Sequence, residues 1–171
     1  MSVRLVQRRL RVALAFLLLS AAPALAGPGD VQVSLTAHRV AADANGQTTL
    51  EPGDQARPGD VIEYRVRYSN QAPTGVRRLV ATLPIPKGME YLPRTAHPAR
   101  VEASLDGRSF APVPLTRKVR LENGREVVRE VPPSEYRQLR WTLGDLAAHG
   151  SESVTARVRV SPGPVAAAVA R

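Results

Sequence analysis

The run Val61–Asn70, VIEYRVRYSN, alternates without a break: Ile62, Tyr64, Val66 and Tyr68 share one face, and Glu63, Arg65 and Arg67 share the other. Period two over that length fits a strand with one buried face and one wet face, and it does not fit a helix. The pattern recurs in VTARVRV, where Val154, Ala156, Val158 and Val160 alternate with Thr155, Arg157 and Arg159. It recurs again in VQVSLTAHRV, where Val31, Val33 and Leu35 alternate with Gln32, Ser34 and Thr36, and this run too reads as a half-buried strand. The chain contains no cysteine, so its stability has to come from a packed core.

Between these runs the chain is punctuated by turn residues. Residues 41–60 are rich in Gly, Pro, Asp and Asn, with Asn45-Gly46 and Pro58-Gly59-Asp60 as turn signals and a short strand near Thr48–Leu50. VRRLVATLP reads as a strand ending at Pro84, its inward set open between Leu79, Ala81, Leu83 and the alternative Val76, Val80. MEYLP and VEASL are short candidate strands, followed by an Asp106-Gly107 turn and a proline-rich link at Pro112 and Pro114. Asn123-Gly124, set between β-prone runs in RKVRLENGREVVRE, predicts a hairpin. QLRWTL is a further strand, expected to turn at Gly144-Asp145. About eight short strands at this spacing, with no helical period, predict an all-β chain folded as a two-sheet sandwich with Greek-key connections.

The first 26 residues, MSVRLVQRRLRVALAFLLLSAAPALA, have another character. Arg4, Arg8, Arg9 and Arg11 precede a short apolar run, and Ala24-Leu25-Ala26 closes the segment. Basic start, apolar middle and small-residue end are the parts of a cleaved secretion signal, expected to be cut after Ala26. The apolar run falls short of the ~20 residues of a membrane-spanning helix, so the mature chain is expected to carry no transmembrane anchor. With no cysteine there is no lipid attachment point of the lipoprotein kind. Four of the 24 basic residues and none of the 15 acidic ones lie in that segment, which leaves 20 against 15, a net charge of +5. These arginines alternate with glutamates along strands, without a basic run or stacking aromatics, a pattern that argues against nucleic acid as a partner. Outward charges of this sort discourage sheets from pairing edge to edge.

No catalytic, cofactor-binding or metal site is expected. His38, His97 and His149 lie far apart in sequence, with no spacing that sets two on one face. Ser109 and Ser151 read as turn serines outside any nucleophile elbow. Asp43, Asp54 and Asp60 share a loop-rich region but lack the calcium-loop register. Trp141 alternates with Leu139 and Leu143 and so belongs to an apolar face, where it packs as core; the competing reading is an exposed platform for a sugar.

The run RPGDVIEYRVRYSNQAPTGVRRLVATLPIPKGMEYLP resembles the bacterial conserved-repeat domain known as domain of unknown function family eleven. Pro58-Gly59-Asp60, Asn70, Pro73 to Gly75, Pro84 and Pro86-Lys87-Gly88-Met89 carry the likeness, joined by Glu102–Pro112 and Leu139–Val160. The resemblance implies an immunoglobulin-like sandwich in an exported protein and no enzymatic activity. The expected organisation is a signal peptide at 1–26, its helix preceding one sandwich domain at 27–160, and a flexible tail at 161–171. The expected role is a non-enzymatic structural or interaction module of the bacterial cell envelope, periplasmic or extracellular. Its partner would be an envelope or surface protein, or a glycan if the chain were a carbohydrate- or peptidoglycan-binding module. A more remote reading is a pilus-type strand-exchange protein, with Val31–Ala37 as the candidate donor strand.

Overall fold

The computed structural model describes residues 30–43, 45–53 and 56–162; the expected signal segment and the tail beyond Pro162 lie outside them. The described residues hold eleven strands and one 3-10 turn at Pro133–Glu135. The strands are β1 (Val31–Ala42), β2 (Thr48–Pro52), β3 (Val61–Asn70), β4 (Val76–Pro84), β5 (Met89–Tyr91) and β6 (Glu102–Ser104). They continue as β7 (Ala111–Pro112), β8 (Thr116–Arg120), β9 (Glu126–Glu130), β10 (Gln138–Leu146) and β11 (Ser151–Val160). No helix among the described residues is long and apolar enough to cross a membrane.

Two antiparallel sheets pack face to face as a β-sandwich, one in the order β2-β1-β3-β11-β5 and the other β4-β10-β6-β7, and β8 and β9 form a separate hairpin. The connected pairs β3–β4 and β10–β11 interlock: β3 lies beside β11 in one sheet and β4 beside β10 in the other. Each connection thus crosses between sheets, and neither sheet can peel away without breaking the other.

The alternation of β3 and β11 does what period two requires. Ile62, Val66 and Tyr68 from β3 and Val154, Ala156 and Val158 from β11 are buried against Ala81, Leu83, Leu139 and Trp141 of the facing sheet. Trp141 is 1% exposed and its indole N–H donates to the Pro98 carbonyl at 2.9 Å, so core is the correct reading of its apolar face. On the outer face, Glu63 is held between Arg157 at 3.0 Å and Arg65 at 3.3 Å.

The structure resolves or corrects three sequence-level expectations. In β4, Ala81 and Leu83 point inward while Val80 is exposed. The register against β10 slips on both sides of Gly144, which lets Val76 and Leu79 both touch the core and explains why no single alternation accounted for them. Gly144, at φ 85°, is therefore a bulge inside β10 and not the turn expected there; the chain turns instead at Ala147–Gly150, where the Gly150 N–H donates to the Ala147 carbonyl at 3.0 Å. Finally, Val33 and Leu35 of β1 are not half-buried but 59% and 55% exposed. They lie opposite Tyr68 and Val66, so they do face the core side, yet they stay uncovered while Val31 and Ala37 at either end of the run pack against the core.

Asn70 closes β3 from the inside. It is almost completely buried; its side-chain amide donates to the carbonyls of Thr74 at 2.8 Å and Ala147 at 2.9 Å, and its carbonyl accepts the Ala72 N–H at 3.0 Å. One side chain thereby ties the β3–β4 loop to the β10–β11 loop.

Candidate interaction surface

The residues singled out for chemistry are occupied by the fold. Asp43 accepts the N–H groups of Asn45 and Gln47, both at 2.8 Å, and Asp60 accepts that of Arg57 at 2.8 Å; Asp54 lies outside the described residues. Ser151 accepts a bond from Arg67 at 2.9 Å. His38 sits on the outer sheet face opposite Glu63, His97 bridges to Thr155, and His149 occupies a turn at φ 54°. No group of His, Asp and Glu among the described residues is placed to hold a metal ion.

Asp106 is the acid most perturbed by its surroundings. One carboxylate oxygen accepts the N–H groups of Ser109 and Arg108, both at 2.8 Å, and the Ser104 hydroxyl at 2.9 Å. The backbone donors, that of Ser109 first, hold its pKa well below the usual carboxylate range. The sign follows from linkage. A depressed native pKa contributes stability that is present above the unfolded value and lost only as the pH falls through the native one. A carboxyl-carbon NMR titration is therefore expected to show Asp106 ionised after the other carboxyls have protonated, its transition moving with the amides of Arg108 and Ser109. A midpoint in the ordinary aspartate range would contradict the bonding described.

Among the described residues, aromatic side chains do not assemble a platform on either sheet face. Trp141, Tyr68, Tyr91 and Tyr136 are buried, and Tyr91 stacks on Tyr136 at 6.1 Å between centroids. Beside that stack lies a cavity of about 490 Å³, lined also by Pro93, Arg94 and Glu130. The Tyr136 hydroxyl is already engaged, accepting the Leu115 N–H at 2.9 Å, so it serves the fold and is not offered to a ligand.

The exposed feature with a polar and an apolar component is the first half of β1. β2 pairs with β1 only from His38 to Ala42, and among the described residues no strand pairs the outer edge of Val31–Ala37. The Gly53 N–H donates to the Ala37 carbonyl at 3.2 Å, which places the Ala37 backbone groups on the outer side. By period two, the N–H and C=O of Val33 and Leu35 point the same way, into the open, while those of Gln32, Ser34 and Thr36 turn toward β3. Gly53 also marks where the open edge stops, because a Cβ there would lie 2.8 Å from the Ala37 carbonyl oxygen.

Among the described residues the other edges are blunted; the stretches left unpaired in β10 beyond Arg140 and in β11 before Thr155 carry Asp145 beside the Gly144 bulge and Glu152. β4 carries Arg77, Arg78, Pro84 and a bulge, and the Tyr68 hydroxyl takes its Thr82 N–H at 3.3 Å. β5 and β7 have three and two residues, and β2 carries Glu51, paired with Arg39, and Pro52. β8 and β9 are lined with charges, among them Arg117, paired with Glu135 at 2.7 Å. Short length, charge, proline and bulges are the ordinary means of blunting an edge. Val31–Ala37, VQVSLTA, has none of them: no charge, no proline, no bulge.

The sequence carried a signal for this surface, a seven-residue β-prone run without charge in a chain where 23% of residues are charged. Hydrophobic periodicity alone reads the run as a half-buried strand and says nothing of whether its outer edge is paired. Val31–Ala37 is not a free donor strand either, since β1 pairs with β3 from Val31 to Val40. Its other side carries backbone groups that no described strand pairs. Comparison with protein-family models, curated proteins and solved structures finds no match to this chain.

Proposed function

We propose that this chain is a non-enzymatic interaction module exported to the bacterial cell envelope, and that it makes contact through the open edge of β1. The unguarded edge carries this reading: along Val31–Ala37 the outward backbone groups of Val31, Val33 and Leu35, with the exposed side chains of Val33 and Leu35 beside them, stand open where the other edges among the described residues are blunted. Strand addition at such an edge takes its affinity from main-chain hydrogen bonds and needs no pocket. The envelope address rests on the basic, apolar and small-residue order of the first 26 residues and on the resemblance to an exported conserved-repeat domain. The non-enzymatic part rests on the employment of Asp43, Asp60, Asp106 and Ser151 in turns and strand contacts. A protein partner is favoured over a glycan because Trp141 and three of the tyrosines are spent on the core.

Two measurements in cells test this. The protein recovered from the envelope fraction is expected to begin at Gly27. A photo-cross-linker at Thr36 is expected to capture a polypeptide that the same group at Thr142, on the other sheet, does not. A cytoplasmic protein still beginning at Met1, or equal capture from both positions, would overturn the reading.

A further inference from the structure

We infer that the cavity beside the Tyr91–Tyr136 stack binds a small zwitterion with an apolar side chain, an aromatic α-amino acid, with Arg94 at its carboxylate and Glu130 at its ammonium group. None of the lining comes from β1, so this site is separate from the contact proposed for that edge.

Three connections meet around the cavity: the segment after β5, the segment before β8, and the 3-10 turn after β9. Pro93, Pro114 and Pro133 stand one on each, and their rings fix φ, so the walls hold their shape without a ligand. Hydrogen bonds fasten the same segments. The Thr95 hydroxyl donates to the Leu92 carbonyl at 2.6 Å and accepts the Arg157 N–H at 3.0 Å, which ties the first segment to β11. The Val131 N–H donates to the Leu115 carbonyl at 2.8 Å, and the Leu115 N–H to the Tyr136 hydroxyl, which tie the other two together. A volume of about 490 Å³ lies within the range of small-molecule sites, and a pre-formed site loses little affinity to ordering.

The chemistry of the walls selects the ligand. Most of the lining is aromatic, aliphatic or proline, which calls for an apolar body, and the tyrosine stack favours an aromatic one. Two exposed charges share that lining, Arg94 and Glu130. Among the described residues neither side chain makes a hydrogen bond or an ion pair, whereas Arg117 and Glu135, beside the same 3-10 turn, close to 2.7 Å. A cation and an anion left unpaired on the wall of one apolar cavity complement a molecule that carries both charges next to an apolar group. The guanidinium fork matches a carboxylate, and a carboxylate accepts from an ammonium group. Arg94 also sits at φ 65°, in the left-handed region that residues with a side chain seldom adopt. Such strain persists where surrounding bonds over-determine the backbone, here those of Leu92 and Thr95, and it collects at ligand sites.

An amino acid of about a dozen heavy atoms is expected to bind such a site with Kd on the order of 1 mM. Titration of the isotope-labelled exported protein with L-phenylalanine, followed by amide NMR, is expected to move the signals of Arg94, Ala96, Ala99 and Val131 along one saturating curve. Those of Val33 and Leu35 are expected to stay in place. Glycine, which has both charges and no apolar body, is expected to bind at least about tenfold more weakly. Arg94→Gln and Glu130→Gln are each expected to weaken L-phenylalanine about tenfold without moving the thermal melting curve, since both side chains are exposed. Blocked ligands assign the two charges. N-acetyl-L-phenylalanine has no ammonium group, so its binding should be indifferent to Glu130→Gln and weakened by Arg94→Gln; L-phenylalaninamide, with no carboxylate, should show the reverse. No saturating shift by roughly ten times the expected Kd overturns the site. Binding that ignores both variants overturns its placement in this cavity, and blocked ligands that bind as tightly as L-phenylalanine overturn the zwitterion.

Discussion

Replacing Trp141 by alanine is expected to lower unfolding stability by about 4 kcal/mol, within the range for removing a large aromatic from a packed core. The residue sits in the middle of β10, opposite Ala81 of β4, and is 1% exposed, so the deleted indole leaves a cavity that the interlocked sheets cannot close. A second cost is the Pro98 carbonyl, which loses the indole N–H and with it the tie between the core and the segment that links β5 to β6. Trp141→Phe separates the two. It keeps most of the volume and loses the donor, so it is expected to cost about 2 kcal/mol, much of it for the unsatisfied carbonyl. Urea denaturation followed by circular dichroism measures both variants. An alanine variant within about 1 kcal/mol of the parent would place Trp141 outside the core and reopen the sugar-platform reading.

The contrast between Trp141 and Leu35 shows what sequence periodicity reports. Alternation states which face of a strand a side chain shares with its neighbours, and it did so correctly for Trp141 with Leu139, for the whole of β3 and β11, and for Val33 and Leu35. Whether anything covers that face at a given residue is decided by packing between elements far apart in sequence. The outward arginines of β3 and β11 were legible for the same local reason. The bulge at Gly144 was not, because a glycine at positive φ serves a turn or a bulge equally well and only the β4 register distinguishes them. Greek-key crossing was expected from strand number and spacing, yet the strand order, and hence which edges stay open, rests on long-range pairing. The open edge of β1 was hidden for that reason, even though its one local mark, a neutral β-prone heptapeptide, stood in plain view.

Asn70 offers the sharpest test of how the two sheets are locked, because a change of one atom reverses the polarity of its contacts. Asn70→Ala removes three hydrogen bonds from a buried site and is expected to cost about 2–3 kcal/mol, the range for leaving buried polar groups without partners. Asn70→Asp is expected to cost more at neutral pH, since it places a carboxylate oxygen where the amide now donates to two carbonyl oxygens at 2.8 and 2.9 Å. Burial and those oxygens both oppose ionisation, so the introduced carboxyl has a native pKa raised above its unfolded value of roughly 3.9. For a raised pKa the stabilising protonated form is fully present below the unfolded value, and its contribution is lost as the pH rises through the native one. The stability gap between Asn70→Asp and the parent should therefore narrow on acidification. It should not close, because one hydroxyl proton serves only one of the two carbonyls. Asn70→Ala, with nothing to titrate at that site, should keep a gap that does not change with pH. Urea midpoints for the three proteins across the acidic range measure this directly. A pH-independent gap for Asn70→Asp would mean that water reaches the site, and that the two loops are not joined through this side chain.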